Sequence, residues 1–178
     1  FNDKGLVSTF NAIASIQIIA MLLIPLLNTK FSKTKIWASG FIVAIFGQFI
    51  IFFADQNIPV CLIGWVIGNM GSGIAVAMPF SMLSQTVDFG EWKTGIRAAG
   101  FLTAIGSSFC IKMGSGIAGL IPSMIMNHYG YAAGQIQTAS SLWGIKFCFI
   151  WVSIILFTLT LIPLLFYGKY EKDRKSVV

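Results

Sequence analysis

Five apolar runs follow one another along the chain, separated by short polar stretches that carry most of the charge. The first runs from Gly5 to Thr29, the second from Ile36 to Ala54 and the third from Gln56 to Val87. The fourth runs from Ala98 to about Met126, and the last from Phe147 to Gly168, with a start about one turn earlier near Leu142. About 20 apolar residues cross a hydrocarbon core of about 30 Å at 1.5 Å per residue, and each run meets or approaches that length. Lipid leaves only helices or closed barrels, and barrel strands would alternate over ten-residue segments, which these runs do not. The pattern therefore predicts an all-α membrane protein. Its five transmembrane helices should lie at about 5–28, 36–54, 58–87, 98–126 and 142–167, with loops at 29–35 and 88–97 and a tail at 168–178.

Composition agrees with the pattern and removes the alternatives. Of 178 residues, 56% are hydrophobic and 10% charged, where a soluble domain carries about a quarter charged. A mean hydropathy of +0.83 excludes a soluble globular domain and a disordered chain alike. The three cysteines, Cys61, Cys110 and Cys148, each sit inside an apolar run at spacings that match no zinc motif, so no metal site is expected. They read as small apolar residues. Five spans beginning on Phe rather than Met read as a piece of a longer bundle.

Charge sets an expected orientation. With residue 1 outside, the inner segments hold Lys30, Lys33 and Lys35, then Lys93 and Arg97, then Lys169, Lys172, Arg174 and Lys175, nine of twelve basic residues. Cytoplasmic loops carry such an excess, so the C-terminus is expected inside. A net charge of +6 scattered in this way points to membrane topology, not to nucleic acid.

Pro59 opens the third helix, where a missing N–H costs nothing. Pro25, Pro79, Pro122 and Pro163 lie within helices and should kink or loosen them. Gly64, Gly68 and Ser72 form a small-residue stripe suited to close helix approach, as do Gly114 with Ala118 and Ser115 with Gly119. The hexapeptide Met-Gly-Ser-Gly-Ile-Ala occurs at 70–75 and again at 113–118; its mid-span position with no preceding strand excludes a phosphate cradle.

One charge falls where topology does not explain it. Lys112 lies about halfway along the fourth run, where a lysine costs about 2.5–3.5 kcal/mol on insertion scales. Ser108 precedes it by one turn and Ser115 and Gly116 follow, giving a polar strip for a substrate path or an ion pair. On the third helix Trp65, Asn69, Ser72 and Val76 share one side. Rings beside amides and hydroxyls suit a sugar site, and the same groups also serve as bonds between helices. Asp88, Glu91, Lys93 and Arg97 gather at the inner mouth between two helices, as a gate of ion pairs or a solvated loop would. HExxH, G-x-S-x-G and paired intramembrane carboxylates are absent, so no catalytic residues and no enzyme activity are expected.

The stretch 84–97, SQTVDFGEWKTGIR, resembles the inner loop of the glycoside–pentoside–hexuronide:cation symporters, the melibiose-permease-like branch of the major facilitator superfamily. The basic segment Asn28 to Lys33 is similar to the loop after that family's eighth helix. Lys112 falls at its helix-eleven lysine, and Gly130-Tyr131, Gln137 and Leu142 to Ile145 resemble its last outer loop. The resemblance spans nearly the whole chain and would make it helices eight to twelve of twelve, leaving residue 1 outside.

This resemblance implies transport of a sugar or glycoside together with sodium or a proton, by alternating access, in the cell (inner) membrane. It implies that Ser107, Ser108, Ile111 and Lys112 line the sugar cavity. The coupling ion would bind in an N-terminal half outside these residues, and no cofactor is implied. Three positions depart from the family pattern: Val76 stands for a cavity tryptophan, Gln85 for the loop's first Asp, and Ala99 for a Glu. The expected partners are a small sugar or glycoside, the lipid bilayer and the N-terminal half of the same carrier, with no nucleic acid. The competing reading is a membrane scaffold or assembly subunit that does not transport.

Overall fold

A computed structural model describes residues 4–55 and 57–175, with side chains over 5–55 and 57–168. The expected outer position of residue 1, the start of the third run at Gln56 and the tail end 176–178 lie outside the described residues, as do the side chains of Lys4, Lys169, Lys172, Arg174 and Lys175. Regular structure among the described residues is helical: α1 (Lys4–Ala14), α2 (Ile16–Asn28), α3 (Lys33–Ala54), α4 (Ile58–Thr94), α5 (Ala99–Thr103), α6 (Cys110–His128), α7 (Ala139–Lys146) and α8 (Ser153–Lys175). π-Helical segments, Ala104–Phe109 and Phe147–Val152, join α5 to α6 and α7 to α8. Among the described residues, five helices are long and apolar enough to cross a membrane: Gly5–Asn28, Lys33–Ala54, Ile58–Thr94, Ala99–His128 and Ala139–Gly168.

Several bounds differ from the expected ones, each for a local reason. The first span is broken at Ser15, whose N–H bonds Ala12 O at 3.2 Å in a tighter turn than the α-helix closes. The segment 88–97, expected as a loop, is helical to Thr94. Nothing in 80–94 is a proline, and Gly95 is the first residue after Pro79 to leave helical geometry, at φ +70°. Its N–H bonds Glu91 O at 2.8 Å, closing the helix with the left-handed glycine that helix ends favour. α4 therefore has 37 residues, about 55 Å at 1.5 Å each, well beyond a core of about 30 Å. The loop expected at 29–35 shrinks because α3 begins at Lys33, and the expected tail is helical from 168 to Lys175.

The described residues fall into two compact units, one comprising residues up to Pro79 and from Ser153 onward, the other 80–152. In the first unit, α3 packs against α4 backbone to backbone. A Cβ on Gly47 would overlap the backbone nitrogen of Gly68, and one on Gly71 would overlap the backbone of Ala44 and Gly40. Gly73 meets the backbone of Gln17 on α2 in the same way. Without a water-driven force between helices in lipid, such close approach is what holds them. Phe41 adds an aromatic contact to Phe157 of α8, at 5.7 Å between ring centres. Ala20, Ile24, Ala44, Ala75 and Met78 are buried there.

The second unit is organised round the connection between α6 and α7. Ser141, 1% exposed, donates to Tyr129 O at 3.0 Å, with Gly130 O 3.1 Å from the same hydroxyl, and lies 3.0 Å from Thr138 Oγ1. Thr138 caps α7 by accepting the Ser141 N–H at 3.2 Å. Gly144 lies against the Tyr129 ring with no room for a Cβ. Thus the first turn of α7 is pinned to the chain leaving α6. By contrast Gly114, Gly116 and Gly119 on α6 have nothing within 4 Å. The repeated hexapeptide is a packing seam at 70–75 and an open face at 113–118.

Candidate functional site

Lys112 lies near the middle of the fourth span, on the first turn of α6. Directly before it the helix widens into the π-helical segment Ala104–Phe109, where N–H groups reach back five residues instead of four. Such a turn shifts the angular register of the side chains beyond it. Ala104, then Ser108 with Phe109, then Lys112 with Met113 come into line and border an open groove of about 440 Å³. Ser108 and Lys112 are its polar lining; Ala104, Phe109 and Met113 are the apolar wall.

Neighbouring hydroxyls are already engaged. Ser107 Oγ donates to Thr103 O at 2.6 Å and Ser115 Oγ to Ile111 O at 2.8 Å, each satisfying itself on its own helix. Among the described residues, Ser108 and Lys112 have no hydrogen bond or ion pair, and both are exposed in this chain. Those two are the polar groups available to a molecule in the groove. Ser107 and Ile111, expected beside them, stand outside its lining; Ile111 is half exposed.

Asn69 and Ser72 belong to the first unit. Asn69 Nδ2 donates to Trp65 O at 2.8 Å, and Ser72 Oγ donates to Asn69 O at 3.0 Å. Trp65 in turn donates its indole N–H to Phe10 O at 2.8 Å and meets the Phe10 ring edge-on at 5.7 Å. Three of the polar groups expected on one side of the third helix thus bond to backbone, and Trp65 ties α4 to α1.

Asp88, Glu91, Lys93 and Arg97 sit at the end of α4 and just beyond it. Arg97 Nε is 3.6 Å from Glu91 Oε2, with side chains 69% and 39% exposed. A pair so exposed is worth about 0–1 kcal/mol. Lys93, in the last turn, complements the negative end of the helix dipole. Asp88 and Lys93 are exposed, and neither has an ion pair among the described residues. The four charges share one short segment, but only Glu91 and Arg97 are brought together.

Some groups carried no signal in the sequence. The π-helical segments have no residue signature, and the role of Ser141 follows from contacts 11 and 12 residues back in the chain. Trp37, which donates its indole N–H to Ala75 O at 3.0 Å across 38 residues, is one apolar residue among many in its run. Groups of three or more His, Cys, Asp or Glu able to hold a metal are absent among the described residues.

Comparison with known proteins adds family context. Residues 2–169 match the profile of the family described as MFS/sugar transport protein. An isoprimeverose transporter of Lactiplantibacillus pentosus is 34% identical over 179 residues, covering 99% of this chain and 37% of that protein. An uncharacterized symporter of Bacillus subtilis (strain 168) is 30% identical over 177 residues, covering 98% of this chain and 38% of its own length. A glucuronide carrier protein homolog of Escherichia coli (strain K12) is 28% identical over 180 residues, covering 99% and 39%. The chain spans less than two fifths of the length of these relatives.

Proposed function

Because the chain belongs to the MFS/sugar transport family, the glycoside–pentoside–hexuronide:cation symporters, we propose that it contributes five spans to a carrier of a sugar or glycoside. The solute moves together with sodium or a proton by alternating access at a midplane site. The observation that carries this reading is Lys112 with Ser108, two polar groups without partners among the described residues, bordering one groove at mid-span. An intramembrane lysine is costly to keep and usually marks a substrate or ion path. Here its ammonium can donate up to three hydrogen bonds to ring hydroxyls or pair with an anionic group, while Phe109 offers a face for the apolar side of a sugar ring. Asn69 and Ser72 supply further contacts to the solute. At the inner mouth Asp88, Glu91, Lys93 and Arg97 act as a gate whose weak, exposed pairs form and break without a large barrier.

In this reading residue 1 faces outward and the C-terminus lies in the cytoplasm, as the basic segments favour. The protein resides in the cell membrane. Its cation site is formed by residues outside this chain.

The reading is tested by placing cysteine at Ser108 in the full carrier and measuring alkylation by a small membrane-permeant maleimide across a panel of sugars. At least one glycoside should slow labelling severalfold, and Lys112→Ala should abolish that protection while membrane insertion persists. Labelling that no sugar slows in a carrier still competent for uptake would remove the groove from the solute's path.

A further inference from the structure

Proline at position 79 leaves one helix carbonyl without its usual donor. In an uninterrupted α-helix the N–H of residue 79 would bond the carbonyl of residue 75, but proline has no N–H. Ala75 is buried, 6% exposed, so water does not readily replace the donor. That same carbonyl is where the indole of Trp37 donates, at 3.0 Å. The bond comes from a different helix, α3, and matches the proline's missing donor in place and in kind.

The surroundings hold the indole in this position. Gly40, on the same helix face as Trp37 and three residues on, leaves an added Cβ only 3.0 Å from Gly71 O, so α3 runs close against α4 here as well. The Trp37 ring lies 5.6 Å from Phe41, which in turn packs on Phe157. Beside the carbonyl, Met78 is fully buried. Directly after Pro79 the chain passes from one compact unit to the other, and it returns directly after the π-helical segment Phe147–Val152. One crossing thus falls at a proline inside a continuous α-helix and the other at the end of a π-helical segment.

We propose that Trp37 is the clasp of a hinge at Pro79, its indole N–H satisfying the carbonyl the proline frees and so fixing one of two conformations of α4. With the clasp closed the carbonyl has a donor in a water-poor setting. Release leaves it bare, so the turn around Pro79 moves between discrete states rather than flexing continuously. This extends the carrier reading by naming an element that biases the inward and outward conformations.

The test is a substitution cycle in the full carrier, with Trp37→Phe, Pro79→Ala and both together. Phenylalanine keeps an aromatic ring and removes the N–H; alanine at 79 restores a helical donor to Ala75 O. Trp37→Phe alone should lower the melting temperature of the purified carrier by several degrees and change the uptake rate severalfold. In the Pro79→Ala background it should do neither. Equal losses in both backgrounds would overturn the clasp. Should Trp37→Phe fail to fold, folding of the double variant supports the clasp, and its failure beside a folded Pro79→Ala overturns it. Melting is read without any solute, so coupled melting in a carrier that moves no sugar contradicts the transport reading and leaves the clasp standing.

Discussion

A single methyl group distinguishes the two kinds of glycine in this chain. At Gly47 a Cβ has nowhere to go, because the backbone of Gly68 occupies its place. At Gly90, in the helical extension of α4, a Cβ meets nothing within 4 Å and the backbone is helical. Gly47→Ala should therefore destabilise the carrier by about 1–3 kcal/mol, the usual cost of forcing extra volume into a packed contact. Gly90→Ala should stabilise it by about 0.4–1 kcal/mol through the unfolded chain's lost freedom. Thermal unfolding of the purified variants would read both, and a shift of the same sign in each would contradict the packing described.

Helices were largely legible in the sequence, and their irregularities were not. Runs such as Ile36 to Ala54 announce a span because lipid demands length and apolarity, both of which a sequence displays. Where α4 ends is a different matter. Charges from Asp88 to Lys93 suggested a loop, but the helix runs on through them to Thr94 and stops at Gly95, because polarity alone does not end a helix and backbone geometry does. Lys112 and Ser108 were readable as neighbours one turn apart. The widening of the helix before them was not, since a π-turn depends on hydrogen bonds no residue type specifies. Trp65 and Asn69 show their chemistry in the sequence but not their backbone partners, Phe10 O and Trp65 O.

The connection between the fourth and fifth spans carries a prediction of the same scale. Ser141 holds its ends together through bonds to Tyr129 O and Gly130 O, and Gln137 donates to Ala132 O at 2.6 Å within the loop. Ser141→Ala removes the hydroxyl and leaves carbonyls without their donor, a cost of about 1–3 kcal/mol where burial is complete. The expected result is faster proteolytic cleavage between 131 and 137 with little change in solute affinity. Unchanged cleavage would show that the aromatic contact of Tyr129 with Trp143 suffices to hold the loop.

For the molecule as a whole, the charge that is scarce is also the charge that carries meaning. Of the eighteen charged residues, most lie at or between the ends of the spans, four gather at the end of α4 and just beyond it, and Lys112 lies near the middle of the fourth span. The groove beside Lys112 is open on the side that this chain does not close, and α6 is exposed along most of its length. A carrier whose site lies between its parts would have this appearance in any one of them. The most direct measurement is uptake of labelled glycosides by vesicles containing the full carrier, its Lys112→Ala variant, or residues 1–178 alone. The account predicts uptake driven by a sodium or proton gradient for the first, a loss of at least about tenfold for the second, equivalent to about 1.4 kcal/mol, and none for the third. Gradient-driven uptake that survives Lys112→Ala undiminished would contradict it.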